Sequence, residues 1–345
     1  MNRYPKVNYI GNKEKLSKWI CDQFPDDINS VFDAFSGGCS ISYEAKCRGL
    51  EVYTNDILKI NYHIGKALIQ NNEHTLNKQD VDLIFSGTPF SGFMYKNYSN
   101  ANFFPDECKE LDLYRKNIEK LNSEAKKSLA FILIRRAMIR KTPYSRFNIN
   151  WDKTVQLRNE DYSYENYKRR RAYHNQSFKF HFQSNLDEYN NAVFDNNKKN
   201  KAYNDDVFNL LEKVRADIIY LDPPYTGTMN NYFGFYGLID NFITSKKTKP
   251  FSNNFTDKKN AIELFDSLFS KLSNYKFWYL SYNNNAYPSK DELLTLLNKY
   301  SKKIKVIERK HNYKITGKEK KEKNKEFLFV IENTNYGNIR SDKSS

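Results

Sequence analysis

Apolar and polar positions follow two different periods along the first seventy residues. Apolar residues at helical spacing, such as Leu16, Trp19 and Ile20, predict an amphipathic helix. Short runs rich in β-branched and aromatic residues predict buried strands instead. In chain order, the predicted elements are a helix over 12–24, a strand over 30–35, a helix over 40–49 that ends at Gly49, a strand over 50–57 and a helix over 59–71.

The same alternation returns from residue 203 onward. Ser289 and Glu292 form a capping box, which marks the start of a helix. Strands that alternate with helices are typical of a parallel, doubly wound α/β sheet. The predicted elements are a turn and helix over 203–214, a strand within 216–225, a helix over 259–273, a strand over 275–283, a helix over 289–301 and an antiparallel pair of strands over 304–310 and 325–333.

The pattern between these two regions is different. Residues 85–107 are rich in Gly, Ser, Asn and aromatic residues and predict a loop, whereas residues 126–140 predict a buried helix with a basic end. Charged and aromatic residues are interleaved elsewhere in this region. We therefore predict one α/β domain, formed by residues 1–72 and 200–340, an inserted and mainly helical module at 73–199, and a tail at 341–345.

The net charge of the chain indicates a polyanionic partner. The 345 residues include 56 Lys and Arg against 41 Asp and Glu, which gives a formal net charge of +15. An excess of this size favours nucleic acid as the partner. The alternative is a lysine-rich and asparagine-rich coding bias without a function in binding.

The sequence offers no sign of a membrane span, a signal peptide or a metal site. No apolar run approaches the roughly 20 residues that a transmembrane helix needs. The four cysteines form no CxxC pair, and the five histidines have no ligand spacing. We expect reduced thiols in a cytoplasmic protein, without a metal.

Two polar clusters follow the first two predicted strands. Ser36, Gly37 and Gly38 form a turn after the strand that contains Asp33, and Asp56 ends the next strand. An acidic residue about 20 positions after a glycine turn commonly accepts hydrogen bonds from ribose hydroxyls. An ordinary turn and a helix cap are the alternatives for these two clusters. Together they favour a ligand that contains adenosine.

The most specific pattern is IIYLDPPYTG, residues 218–227, where an apolar strand ends in Asp222. The two prolines have fixed φ angles and no N–H groups, so their carbonyl groups and the carboxylate form a cluster of acceptors. Tyr225 adds a flat ring beside them. This arrangement suits a planar amine, whereas a plain tight turn would not require an aspartate at the end of a buried strand.

Six stretches occur along the chain in the order YIGNKEKL (9–16), FDAFSGG (32–38), TND (54–56), NDDVFNLL (204–211), DPPY (222–225) and LSYNN (280–284). They cover both ends of the chain, with the glycine turn before the inserted module and DPPY after it. Taken in this order, they resemble the Dam-like (D12, alpha-ordered) class of DNA adenine-N6 methyltransferases.

The resemblance implies a Rossmann-like methyltransferase sheet with an inserted DNA-recognition domain. It implies site-specific methyl transfer from S-adenosyl-L-methionine to adenine N6 in double-stranded DNA, after the base is flipped out of the helix. It also implies a role in a restriction-modification system with a cognate restriction endonuclease, in the cytoplasm of a bacterium or of a phage-infected cell.

The resemblance also assigns roles to individual residues. Catalysis is assigned to the DPPY tetrapeptide, Asp222, Pro223, Pro224 and Tyr225, with Asp222 also beside the cofactor. Asp206 is assigned to the adenine amine of the cofactor, with the adjacent Asp205 as the alternative. The remaining residues assigned to the cofactor are Tyr9, Lys13, Asp33, Phe35, Ser36, Gly37 and Asp56.

The inserted module supplies the candidates for DNA binding. Arg and Asn side chains can bind base edges through two hydrogen bonds, while Lys mainly contacts phosphates. A solvated basic helix face is the alternative for the KRRR run at 168–171. The candidates are Arg135, Arg136, Arg140, Lys141, Tyr144, Arg146 and Asn148, with Lys168, Arg169, Arg170 and Arg171 as a second patch.

Three other functions remain open at this point. Cytosine N4 is an amine of similar chemistry, although a serine is more usual in place of Asp222 in cytosine enzymes. A DNA-binding protein with a relict methylase fold would fail to bind a cofactor. RNA in place of DNA is the third alternative.

Overall fold

The computed structural model describes residues 2–224, 232–249, 255, 257–310, 324–334 and 336. Contacts between residues divide the chain into two compact units. We call them the helical unit, which comprises Met1–Asn8, Leu58–Asp195 and Asn231–Phe251, and the sheet unit, which comprises Tyr9–Ile57, Asn196–Asn230 and Ser252–Ser345.

The strands of the sheet unit form one mixed sheet with the order β3-β2-β1-β4-β5-β7-β6. The five strands from β3 to β5 are parallel, and β7 and β6 continue the sheet antiparallel. This confirms the predicted α/β sheet and its closing antiparallel pair. The strands are β1 (Ser30–Asp33), β2 (Glu51–Asn55), β3 (Lys201–Tyr203), β4 (Ile218–Leu221), β5 (Phe277–Asn283), β6 (Lys303–Lys310) and β7 (Lys325–Glu332).

The central strands carry apolar side chains on both faces because helices cover a parallel sheet on both sides. All four residues of β4 are buried, which explains its uninterrupted apolar sequence. Phe32, Ile219 and Leu221 join Trp278 and Phe329 in the core of the sheet unit.

Most predicted helices are present, including the capping box of Ser289 and Glu292. Gly49 ends the second helix with a φ of +81°. A π-helical turn, Lys66–Gln70, follows the third. The helices are α1 (Ser17–Cys21), α2 (Ser40–Cys47), α3 (Lys59–Gly65), α4 (Lys78–Ile84), α5 (Phe93–Tyr98), α6 (Pro105–Ile118), α7 (Glu124–Lys141), α8 (Trp151–Arg158), α9 (Glu160–Tyr167), α10 (Phe178–Asn190), α11 (Tyr232–Thr244), α12 (Ala261–Ser270) and α13 (Lys290–Leu297).

Two local predictions were wrong. The turn and helix expected over 203–214 contain only a 3₁₀ turn, Val207–Asn209, which Asp206 caps by accepting the Phe208 N–H through Oδ1 at 2.9 Å. The loop expected over 85–107 contains α5. The Asp112 carboxylate starts this helix by accepting the N–H groups of Met94 at 2.8 Å and Tyr95 at 3.0 Å.

Helix α3 begins at residue 59, before the predicted boundary at 72, and belongs to the helical unit together with α11. An acidic cap connects these two helices: the N–H groups of Lys59 and Ile60 donate to the Asp240 carboxylate of α11, both at 2.9 Å. None of the helices in the described residues is long and apolar enough to span a membrane.

Candidate active site

The carboxyl ends of β1, β2 and β4 lie next to one another at one edge of the sheet. β1 pairs in parallel with β2 on one side and with β4 on the other, so the strand order reverses at β1. Ligands of open α/β sheets bind in the crevice at such a reversal. The three polar clusters that the sequence predicted follow these three strands, and the fold therefore brings them together.

The turn after β1 requires a glycine at position 37. Gly37 has a φ of +50°, and a Cβ atom there would lie 2.8 Å from Cε1 of Tyr9, so any side chain would displace the ring. The Gly37 N–H donates to Asp56 Oδ2 at 2.9 Å. The Ser36 N–H donates to the Asn55 carbonyl oxygen at 2.9 Å. These contacts place Tyr9, the glycine turn and the end of β2 together.

Asp33 is buried at the end of β1. Ser42 Oγ donates to Asp33 Oδ2 at 2.5 Å, whereas Asp33 Oδ1 accepts no hydrogen bond within the described part of the chain. Burial raises the pKa of Asp33 to about 7; the bond from Ser42 opposes this shift, and the charge of Asp222 adds to it. An unpaired buried acceptor is rare in native proteins and points to a donor that a ligand or water supplies.

Asp222 follows β4 and contacts a buried lysine. Lys13 Nζ lies 2.8 Å from Asp222 Oδ1 and 3.4 Å from Glu326 Oε1. Asp222 Oδ2 accepts no hydrogen bond in the ranges that the structure describes. Burial raises the pKa of Asp222, and the positive charge of Lys13 opposes that shift. The arrangement leaves one carboxylate oxygen available as an acceptor.

The residues that follow Asp222 in the tetrapeptide differ in solvent exposure. Pro223 is buried and Pro224 is half-buried, while Tyr225 lies outside the described residues.

Phe35 lies at the turn after β1 and packs edge-on against Phe255, with ring centroids 5.6 Å apart. The ring of Phe35 therefore packs against the apolar core of the sheet unit.

Asp205 and Asp206 are attached to the end of β2 through Asn55. The Asn55 side chain accepts the Asp205 N–H and donates to the Asp205 carbonyl oxygen, both at 3.1 Å. Asp205 Oδ1 accepts from the Asp206 N–H and from Asn209 at 2.7 and 2.8 Å. Asp206 is exposed. Each of the two carboxylates accepts hydrogen bonds within the loop through its Oδ1 atom, and Asp206 is the more exposed of the two residues.

In the helical unit, three of the predicted DNA-binding cations are buried. Arg135 donates to the carbonyl oxygen of Val7 at 2.6 Å, and Arg136 donates to Asn185 at 3.3 Å. Lys141 pairs with Glu107 at 2.9 Å and is 4% exposed. These side chains hold the unit together, so we leave Arg135, Arg136 and Lys141 out of the DNA surface.

The other candidates are accessible. Tyr144 and Asn148 are exposed, as are Lys168, Arg169 and Arg170, whereas Arg140, Arg146 and Arg171 are half-buried. Several of these cations lie over aromatic rings. Arg140 lies 4.2 Å from the ring centroid of Tyr173, and Arg171 lies 4.7 Å from that of Tyr167. We call Arg140, Tyr144, Tyr164, Tyr167, Arg169, Arg170, Arg171 and Tyr173 the basic aromatic surface.

The fold and this site define a class. Residues 9–296 match the D12 class N6 adenine-specific DNA methyltransferase family. The chain therefore belongs to this family and is an adenine-specific DNA methyltransferase. Cytosine N4, a relict fold and RNA are not favoured as alternatives. Within the described ranges, no group of three His, Cys, Asp or Glu side chains is placed to hold a metal ion.

Similar proteins include Type II methyltransferases and a modification methylase. The chain is 58% identical to the Type II methyltransferase M2.HphI of Haemophilus parahaemolyticus, over 96% of this chain and 98% of that protein. It is 24% identical to the Type II methyltransferase M.CviAII of Paramecium bursaria Chlorella virus 1, over 90% and 92% of the two chains. It is 25% identical to the modification methylase StsI of Streptococcus sanguinis, over 94% of this chain and 52% of that protein.

Two polar residues of the site were not singled out from the sequence. Asn55 was part of the TND stretch (54–56) and was given no role in the site, and Glu326 was part of a predicted strand. The signal for Glu326 is a carboxylate next to the apolar run FLFVI. The sequence does not show that Glu326 belongs to the site, because that depends on the pairing of β7 with β5.

Proposed function

We propose that the methyl donor is S-adenosyl-L-methionine and that it binds at the carboxyl edge of β1, β2 and β4. The observation that carries the proposal is that Asp222 and the glycine turn share this edge. When bound, the donor supplies an electrophilic methyl group on a sulfonium. Every further step depends on what the side chains of this chain hold and accept.

The residues at the edge fit such a donor. The unpaired Asp33 Oδ1 can accept from the amino group of its methionine part. Gly37 leaves room beside the Tyr9 ring that a Cβ atom would fill. Asp56 receives the Gly37 N–H on one oxygen, and we assign it to the ribose hydroxyls. Asp206, which is exposed beside this site, is assigned to the adenine amine.

Asp222 and the Pro223 carbonyl group are the proposed acceptors for the target amine. The adenine N6 lone pair is delocalised into the ring, which makes this amine a poor nucleophile. Two acceptors that bind its hydrogens draw N6 toward tetrahedral geometry and free the lone pair. The carboxylate also stabilises the positive charge that develops on N6. Correct positioning can lower such a barrier by about 7–11 kcal/mol.

The target adenine must leave the duplex before it can reach these acceptors, at a cost of a few kcal/mol of unstacking. We assign Tyr225 to stack on the flipped base, since a base on an aromatic ring contributes about 1–3 kcal/mol. This assignment is based on the DPPY sequence. A cognate endonuclease and a cytoplasmic location complete the proposal, supported by relatives that are Type II methyltransferases.

Methyl transfer to nucleic acid tests the donor and the acceptor together. The protein is incubated with methyl-labelled S-adenosylmethionine and duplex DNA, and the digested nucleosides are analysed by mass spectrometry. We expect labelled N6-methyldeoxyadenosine, with RNA of the same sequence unlabelled. Label in N4-methyldeoxycytidine, or no label in either polymer, would contradict the proposal. Methylation-aware sequencing of the same DNA then gives the recognition site.

The basic aromatic surface is the proposed DNA contact. A protein that neutralises phosphates releases counterions, so its affinity falls with salt by a slope of about −0.9 per phosphate contacted. We expect the double substitution Arg169→Ala and Arg170→Ala to make this slope shallower by about 2 in a plot of log affinity against log salt. Fluorescence anisotropy at four salt concentrations measures it.

The matched control removes two exposed cations from the sheet unit. Lys213 and Arg215 are exposed and precede β4, so they lie near the amino end of that strand, away from the proposed crevice. Their replacement by alanine changes the net charge equally and should leave the slope unchanged. An equal slope for the two double variants would place the DNA contact elsewhere.

A further inference from the structure

Glu326 is a charged residue inside an apolar strand. It lies on β7 and has no solvent exposure, and the residues that follow it, Phe327 and Leu328, are apolar and buried. Burial of a carboxylate is unfavourable unless a cation and hydrogen bonds compensate for it. Apolar packing gives no reason for a charge at this position, and the match to the family ends before it, at residue 296.

One partner of Glu326 is the lysine that contacts the candidate catalytic carboxylate. Lys13 is 5% exposed, and its Nζ lies 3.4 Å from Glu326 Oε1 and 2.8 Å from Asp222 Oδ1. One ammonium group therefore lies between two carboxylates. Asp222 is 19% exposed, whereas Glu326 is fully buried.

The sheet fixes the position of Glu326. Its backbone is opposite Asn283 of β5 and Arg309 of β6 in the two antiparallel pairings. A strand paired on both sides has little freedom to move along its axis, because a shift would break both ladders. Lysine, by contrast, has a flexible stem and a charge without directional preference. The rigid partner is thus the carboxylate, and the mobile one is the ammonium group.

We propose that Glu326 is a positioning residue for methyl transfer: it holds the Lys13 ammonium group so that this group binds Asp222 Oδ1 and leaves Oδ2 for the target amine. The inference builds on the proposed function, in which Asp222 accepts from adenine N6. Glu326 touches neither substrate nor donor in this scheme. Its effect passes through Lys13 and then to the orientation of Asp222.

Neutralising Glu326 tests the proposal. In Glu326→Gln the shape remains but the anchor charge is lost, and we expect kcat to fall about 10-fold to 100-fold, the range for a residue that orients a reacting group. The Kd values for S-adenosylmethionine and for DNA should change less than about twofold, because no contact to either is removed. Glu326→Asp keeps the charge and should recover part of the lost kcat.

The control is Glu332→Gln on the same strand. Glu332 is exposed and pairs with Lys303 at 2.8 Å at the surface, so the same chemical change there should leave kcat unaltered. A folded Glu326→Gln enzyme with wild-type kcat, or a Gln variant at least as active as the Asp variant, overturns the proposal. Should the Gln variant not fold, the Asp variant is measured in its place. Its shorter side chain should lower kcat, and an unchanged kcat would overturn the proposal.

Asp222→Ala separates this inference from the proposed function. If that variant is inactive while Glu326→Gln is fully active, the positioning role fails and the catalytic role of Asp222 stands. If both variants remain active, the assignment of Asp222 itself is wrong.

Discussion

Replacement of Asp222 by alanine is expected to lower kcat for methyl transfer by about 10³-fold or more. The substitution removes the acceptor that we assign to the target amine. It also leaves the Lys13 ammonium group, which now lies 2.8 Å from Asp222 Oδ1, facing the nitrogen on which positive charge develops. The variant therefore loses an attraction and gains a repulsion in the transition state. Single-turnover assays at saturating donor and DNA measure the loss.

Donor binding should be nearly preserved in this variant, since Tyr9, Gly37 and Asp56 keep their mutual contacts. We expect the Kd for S-adenosylmethionine to change less than about threefold, a difference below about 0.7 kcal/mol. Calorimetry measures it. A large loss of donor affinity together with a near-normal kcat at saturation would make Asp222 a cofactor ligand and not the acceptor for the amine.

Asp222→Asn distinguishes charge from shape. The amide has one acceptor and one donor group, and the Lys13 ammonium group takes the acceptor, which turns the amide N–H₂ toward the incoming amine. We therefore expect asparagine to be almost as inactive as alanine. Asp217→Asn, at the amino end of the same strand, is the control. Its Oδ2 accepts the Asn29 N–H at 2.7 Å, far from the crevice edge, so kcat per folded molecule should be normal.

The sheet could be predicted from the sequence because its strands are local features. An apolar run such as that of β4 is buried on both faces wherever it pairs, so its sequence alone identifies it. Strand β3 was missed, since an edge strand of three residues, Lys201–Tyr203, shows no periodicity. The starts of α3 and α5 depend on Asp240 and Asp112, which lie far along the chain and cannot be assigned as caps without coordinates.

In the candidate site, too, the features that are local in the sequence were predicted and those that depend on tertiary contacts were not. The glycine turn, Asp56 and DPPY were identified because strand ends can be located in a sequence. The sequence could not distinguish surface cations from buried ones: Arg169 and Lys141 look alike, yet the first is exposed and the second has a buried carboxylate partner. A partner's position is a tertiary fact, so burial of a charge cannot be deduced from local pattern.

Glu107 is the partner in question, and its replacement by glutamine is expected to reduce the free energy of unfolding by about 3–5 kcal/mol. Arg158 donates to both oxygens of Glu107, at 2.8 and 2.6 Å. Lys141 lies 2.9 Å from Oε1. Both cations are at most 5% exposed, so the neutral side chain leaves two buried positive charges without a counter-charge. Urea denaturation measures the change.

Asp106→Asn is the matched control, one residue earlier in α6. Asp106 is 92% exposed and pairs with Lys109 at 3.1 Å, so its loss should cost less than about 1 kcal/mol. If the two variants were equally stable, the buried cluster would contribute no more than a surface ion pair. Such a result would show that Arg158 and Lys141 find other partners or water when Glu107 is neutral.

The pH dependence of unfolding gives a second measurement of the same cluster. Burial alone would raise the pKa of Glu107, but its bonds to Arg158 and the charge of Lys141 outweigh this and lower it below the ordinary value of 4.5. A carboxyl group with a depressed pKa in the folded state stabilises the fold above its unfolded pKa, and the contribution is lost as pH falls through the folded value. The wild type should therefore lose its advantage in the free energy of unfolding over Glu107→Gln as pH falls below about 4.5.

Arg158 ends α8, next to the helix that precedes Arg169 and Arg170. The same acid range should therefore also weaken the proposed DNA surface.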